Sequence, residues 1–114
     1  MAPPAVLHLT GPGLSGEPAK CLGYFELEMG RTVNGSPVWK QRDGSRRLAR
    51  FESRSWGVQL EHEVGENLGW LVLRAKDLIY PSEPTEIAWV AHIDGAYTAQ
   101  PQVACTQQVR LRLS

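Results

Sequence analysis

Residues 33–40 read Val33-Asn34-Gly35-Ser36-Pro37-Val38-Trp39-Lys40, and this segment commits the chain to β-structure. Asn-Gly suits a type I′ turn, because both central residues must take positive φ and these two tolerate it best. Pro37 has no amide to give to a ladder, so it belongs at the start or edge of a strand. Val38 and Trp39 are strand formers. A hairpin centred on Asn34-Gly35 is therefore predicted.

Working upstream, Phe25, Leu27 and Met29 alternate with Glu26 and Glu28. A two-residue period puts the three apolar side chains on one face and both glutamates on the other. Earlier still, Val6–Thr10 reads as a short strand stopped by Gly11-Pro12-Gly13. Downstream, Arg42-Asp43-Gly44-Ser45 marks a turn, and Leu48-Ala49-Arg50-Phe51-Glu52 alternates until Ser53-Arg54-Ser55 breaks it. Trp56, Val58 and Leu60 share a face of the next alternating stretch, residues 56–62. Gly69–Ala75 is more continuously apolar and is the candidate central strand. Pro81 and Pro84 bracket a loop before Ile87-Ala88-Trp89-Val90, either a strand or a turn leading into one. Val103–Cys105 and Val109–Leu113 close the chain.

No segment carries a helical apolar stripe of about 11 residues or more. The expectation is one all-β domain over residues 1–114, a small antiparallel barrel or sandwich of about seven short strands with little helix. Eleven Gly and eight Pro interrupt the chain too often for long helices.

Twelve Lys+Arg balance twelve Asp+Glu, which argues against nucleic acid and anionic membranes as partners. No apolar run reaches the roughly 18 residues of a membrane span, so no membrane partner is expected. The start of the chain lacks the basic, then apolar pattern of a secretory signal, which favours an intracellular location. Cys21 and Cys105 lie near opposite ends. Bonded, they would close a loop of about 84 residues, worth roughly 4 kcal/mol; reduced, they are two buried thiols. Neither they nor His8, His62 and His92 show metal-ligand spacing, so no metal and no cofactor is expected.

Three constellations remain. Arg42, Arg46, Arg47, Arg50 and Arg54 fall within 13 residues, opposed only by Asp43 and Glu52. Alternation on a hairpin would gather some of them on one face, able to fork carboxylates, phosphates or sulfates on a partner; the alternative is a solvated, soluble hairpin. Trp70 and Trp89 are candidate sugar-stacking platforms if they face solvent, assisted by Asn67, Asp94 and Tyr97, although most of the four tryptophans are expected in the core. Glu61, His62, Glu63 and Glu66 do not converge in an extended strand, and no nucleophile has an elbow context, so catalysis is not expected. Gly11-Pro12-Gly13-Leu14-Ser15-Gly16 fits a dinucleotide fingerprint in letters only. Glu17-Pro18 and the strand from Cys21 leave no helix to meet a pyrophosphate, so the segment is expected to be a loop.

The middle of the chain resembles a small repeat-type module of algal and other protist proteins. The matching residues are Gly23-Tyr24-Phe25, Val33–Lys40, Leu48, Trp56-Gly57-Val58, and Pro84 with Trp89, covering about residues 20–102. The chain departs from that pattern with Trp39 where tyrosine is more typical and with an arginine-rich hairpin. The resemblance implies a β-rich adhesive or recognition unit with no established catalytic role. The functional expectation is a non-catalytic binding module with another protein as partner, and a carbohydrate-binding module as the alternative.

Overall fold

The computed structural model describes residues 2–108. Nine strands follow in order: β1 (Val6–Thr10), β2 (Gly23–Val33), β3 (Ser36–Gln41), β4 (Arg47–Arg50), β5 (Trp56–Gln59), β6 (Leu71–Leu73), β7 (Trp89–Ile93), β8 (Ala96–Gln100) and β9 (Ala104–Gln107). One helical turn, α1 (Gly16–Ala19), follows β1, and a 3₁₀ turn at Glu61–Glu63 follows β5. The predicted strand at Val109–Leu113 lies outside the described residues.

All pairings are antiparallel, in the order β8-β7-β6-β5-β4-β3-β2-β1-β9. β1 to β8 form a meander, and β9 returns to the far side of β1. The two edges, β8 and β9, are joined by residues 101–103 alone, so the sheet must bend until its edges approach. α1, attached to β1, packs against β7, six strands away in the sheet. The result is a curled half-barrel.

Register explains the core. Leu27, Trp39, Leu48, Val58, Leu71 and Ala91 stand directly opposite one another across six strands and fill the concave face. Trp39 and Trp56 are fully buried, with ring centroids 5.8 Å apart. Each indole N–H has a carbonyl to meet: Trp39 Nε1 donates to Pro4 O at 2.8 Å and Trp56 Nε1 to Leu78 O at 3.4 Å. Those bonds let polar indoles sit in an apolar interior without a desolvation cost. Leu7, Leu9, Cys21, Phe25, Leu73, Ala75, Trp89 and Val103 complete the cluster.

The convex face carries a smaller layer. Val38, Ala49, Phe51 and Val72 are buried outside the main cluster. A Cβ at Gly57 would overlap the Phe51 ring, so the glycine is the socket for that ring. Beside it, Gln59 is fully buried and organises the following loop. Its Nε2 reaches the carbonyls of Glu63, Glu66 and Leu68 at 3.0, 2.7 and 2.6 Å, and its Oε1 accepts from Gly65 N.

The Asn34-Gly35 hairpin forms as expected, with φ of 50° and 79° and Val33 opposite Ser36. Four expectations differ. Met29 does not share the buried face of Phe25; it is 85% exposed. Between Leu27 and Thr32 the pairing slips, five steps on β2 against two on β3, and Gly30 turns at φ 77°, so this part of β2 bulges off the sheet. β5 ends at Gln59, before Leu60, because the 3₁₀ turn takes over. β6 is buried on both faces but lies third from one edge, with β4 at the centre. Residues 16–19 form a single helical turn in which Pro18, near the helix start, is tolerated.

Candidate functional site

The structure scatters the five candidate arginines and gives most of them an internal carboxylate. Arg42 Nε meets Glu26 at 3.3 Å while its guanidinium covers Tyr24. Arg46 Nη2 meets Glu17 at 2.6 Å. Arg47 lies between Glu28 and Glu61, each at 2.9 Å, and Arg31 bridges the same two glutamates at 2.9 and 3.0 Å. Arg50 points to the concave side, its guanidinium 4.9 Å from the Trp56 ring. Arg54, beside it, donates to Asn34 O. Only Arg50 and Arg54 are brought together without a glutamate.

These ion pairs shift the carboxylates. Partial burial pushes the Glu28 pKa up, but the hydrogen bonds from Arg31 and Arg47 outweigh it and hold the group below the ordinary glutamate value. Glu61 is therefore an ion-pair partner, and Glu63 instead accepts from the Leu60 amide at 3.3 Å. Cys21 and Cys105 are free thiols. Burial raises the Cys21 pKa to about 11 against the pull of Arg46, and raises that of Cys105 to about 12. Among the described residues, no group of three or more His, Cys, Asp or Glu could hold a metal ion.

Of the two candidate platforms, Trp89 is 4% exposed in the core and offers no face to a sugar. Trp70 is different. It directly precedes β6 on the convex side, and His92 N donates to its carbonyl at 2.9 Å, placing Trp70 opposite His92. His92 in turn stands opposite Tyr97. The three rings form an edge-to-face row, with centroids 5.3 Å apart at 72° and 5.0 Å apart at 70°. Tyr97 Oη donates to Gly69 O at 3.0 Å, and Arg74 lies 4.9 Å over its ring. Glu63, Leu68 and Gly69 join the row around a shallow depression of about 180 Å³. Of the other sugar-binding candidates, Asn67 is committed to the Ser53 amide, and Asp94 forms the β7–β8 turn at φ 50°.

The row ends on an edge strand. β8 reads Ala96-Tyr97-Thr98-Ala99-Gln100, with no charged residue and no proline. Among the described residues it pairs with β7 only. Ala96 to Ala99 are exposed, including Thr98 on the concave side. Natural edge strands are commonly protected by lysine, proline, a bulge or a covering segment. Residues 96–100 contain neither lysine nor proline, and their register with β7 is unbroken. Leu68, Ile93 and Tyr97 add exposed apolar surface along this side of the molecule.

Sequence reading missed His92 and the whole of β8. The signal was Asp94-Gly95, a second turn of the Asn34-Gly35 type, which takes φ of 50° and 82° in the structure. No known protein family, curated protein or solved structure matches this chain.

Proposed function

We propose that this chain is a non-catalytic protein-interaction module that takes an extended segment of a partner as an additional strand beside β8. The observation that carries the reading is the uncharged, exposed edge of β8. Along such an edge every second residue points its amide and carbonyl away from β7, and these groups are satisfied by water or by another chain. A partner strand would gain affinity from those main-chain bonds. Specificity would come from side chains that reach the Trp70–His92–Tyr97 row, since aromatic rings give large contact area at low entropy cost.

Selection from a displayed library of random peptides tests this. Thr98→Lys places a charge on the edge at an exposed position, so it leaves stability within about 0.5 kcal/mol and removes binding of the selected peptides. Peptides that bind the Thr98→Lys chain equally well would contradict the assignment.

A second reading, carbohydrate binding, draws on Trp70. Its ring is half-buried and borders the depression beside the Glu63 and Tyr97 side chains, an arrangement that suits a stacked sugar. A glycan panel separates the two: sugar binding would be lost in Trp70→Ala and indifferent to Thr98→Lys, whereas strand addition shows the reverse dependence on Thr98.

A further inference from the structure

A second polar depression lies on the concave side, remote in sequence from β8. It has a volume of about 390 Å³, and its walls come from the start of β3, the end of β4 with the turn that follows it, and the segment after β6. Arg50, Arg54 and Lys76 line it, with Asp77 as the one acidic lining residue.

The arginines here differ from most of the others. Arg31, Arg42, Arg46 and Arg47 each have a glutamate oxygen within 3.3 Å. Arg50 is 4% exposed, yet it has only neutral partners: Arg54 O at 3.1 Å, Ser36 Oγ at 3.4 Å and Lys76 O at 2.6 Å. A buried cation without an opposite charge is unfavourable, and a second cation beside it adds to the cost. Burial and then the nearby Arg54 charge both lower the Arg50 pKa, while Glu83 and Asp77 oppose them. Glu83 does not relieve this by contact, because its carboxylate accepts the amides of Ile79 and Tyr80.

The donors suit an oxyanion. A guanidinium has five N–H groups, and three of those on Arg50 are engaged. The Ser36 hydroxyl accepts from Arg50, which leaves its own proton for an incoming oxygen. Arg54 sits at φ 80°, a strained position for a non-glycine residue, and this conformation holds it at the rim.

We propose that this depression binds a dianionic phosphate, either the free ion or a phosphate monoester. Arg50 and Arg54 from the β4–β5 hairpin and Lys76 after β6 line the depression against Asp77, with Glu83 nearby outside the lining, and this excess of positive charge suits an anion. The Arg50 and Arg54 guanidinium groups and the Ser36 hydroxyl supply several N–H and O–H groups around the depression for the oxygens of one phosphate.

The test is a titration followed by amide NMR, using inorganic phosphate, O-phosphoserine and acetate. Saturable shifts at Ser36, Arg50 and Lys76 are expected with phosphate. Affinity for O-phosphoserine should rise as pH passes about 6, the second ionisation of a phosphate monoester. The rim double variant Arg54→Gly/Lys76→Ala should weaken binding at least tenfold, with Gly suited to the φ at position 54. Arg42→Ala should leave it unchanged. Binding of O-phosphoserine as well assigns an esterified ligand, and binding of inorganic phosphate alone assigns the free ion. No saturable shift at these residues, acetate bound as tightly as phosphate, or an unaffected double variant would overturn the proposal.

Discussion

Gly57 shows how much one position can determine. It lies opposite Ala49 on β4 and Val72 on β6, and its missing side chain is the space occupied by Phe51. Gly57→Ala should destabilise by about 1–3 kcal/mol through overpacking. In a Phe51→Ala background the same change should cost markedly less, a coupling that urea denaturation of the four chains would measure. The cysteines give a second prediction at this scale. Their folded pKa values, about 11 and about 12, lie above the ordinary 9.0, so the folded state holds its thiol protons longer than the unfolded state. Stability should therefore be unaffected by the thiols below pH 9 and fall as pH rises from there through the folded values. Cys21→Ala should flatten that alkaline decline. Thiol titration at pH 8 should be at least about tenfold slower in the native chain than in urea.

Among the elements, β2 and β4 are joined through charge as well as through β3. Glu28 on β2 and Glu61 in the 3₁₀ turn clamp Arg47 on β4, with Arg31 closing the network. Because the folded Glu28 pKa is depressed, its contribution is present above the unfolded value near 4.5 and disappears as pH falls through the folded one. Glu28→Gln should lower stability by about 1 kcal/mol at pH 7 and reduce the loss on acidification, both readable from denaturation at pH 7 and pH 3. The clamp also explains why the arginine cluster, so prominent in sequence, does not form one surface. Its acidic partners come from residues 17, 26, 28 and 61, and no local pattern announces pairings over such separations.

For the molecule as a whole, local turn chemistry made much of the fold legible. Asn34-Gly35 and the alternation around Trp56 located strands that exist. Trp39, Trp56 and Trp89 lie in the core, as most of the indoles were expected to. Met29 was misread because a bulge breaks the two-residue period, and a bulge depends on how a strand meets its neighbours. The curl was illegible for a related reason: β9 beside β1 is a pairing between residues about 98 apart, such as His8 with Thr106. The candidate surface was half visible. Trp70 stood out as an indole, but its row with His92 and Tyr97 needed β8, and β8 needed Asp94-Gly95 to be read as a hairpin.

The proposed interaction depends on the free side of β8 acting as a docking edge. Residue-resolved hydrogen exchange, measured with and without a peptide selected on this chain, reads that edge amide by amide. Amides at every second position of residues 96–100 should exchange quickly alone and become protected in the complex. Protection that appears elsewhere while these amides stay fast would contradict it.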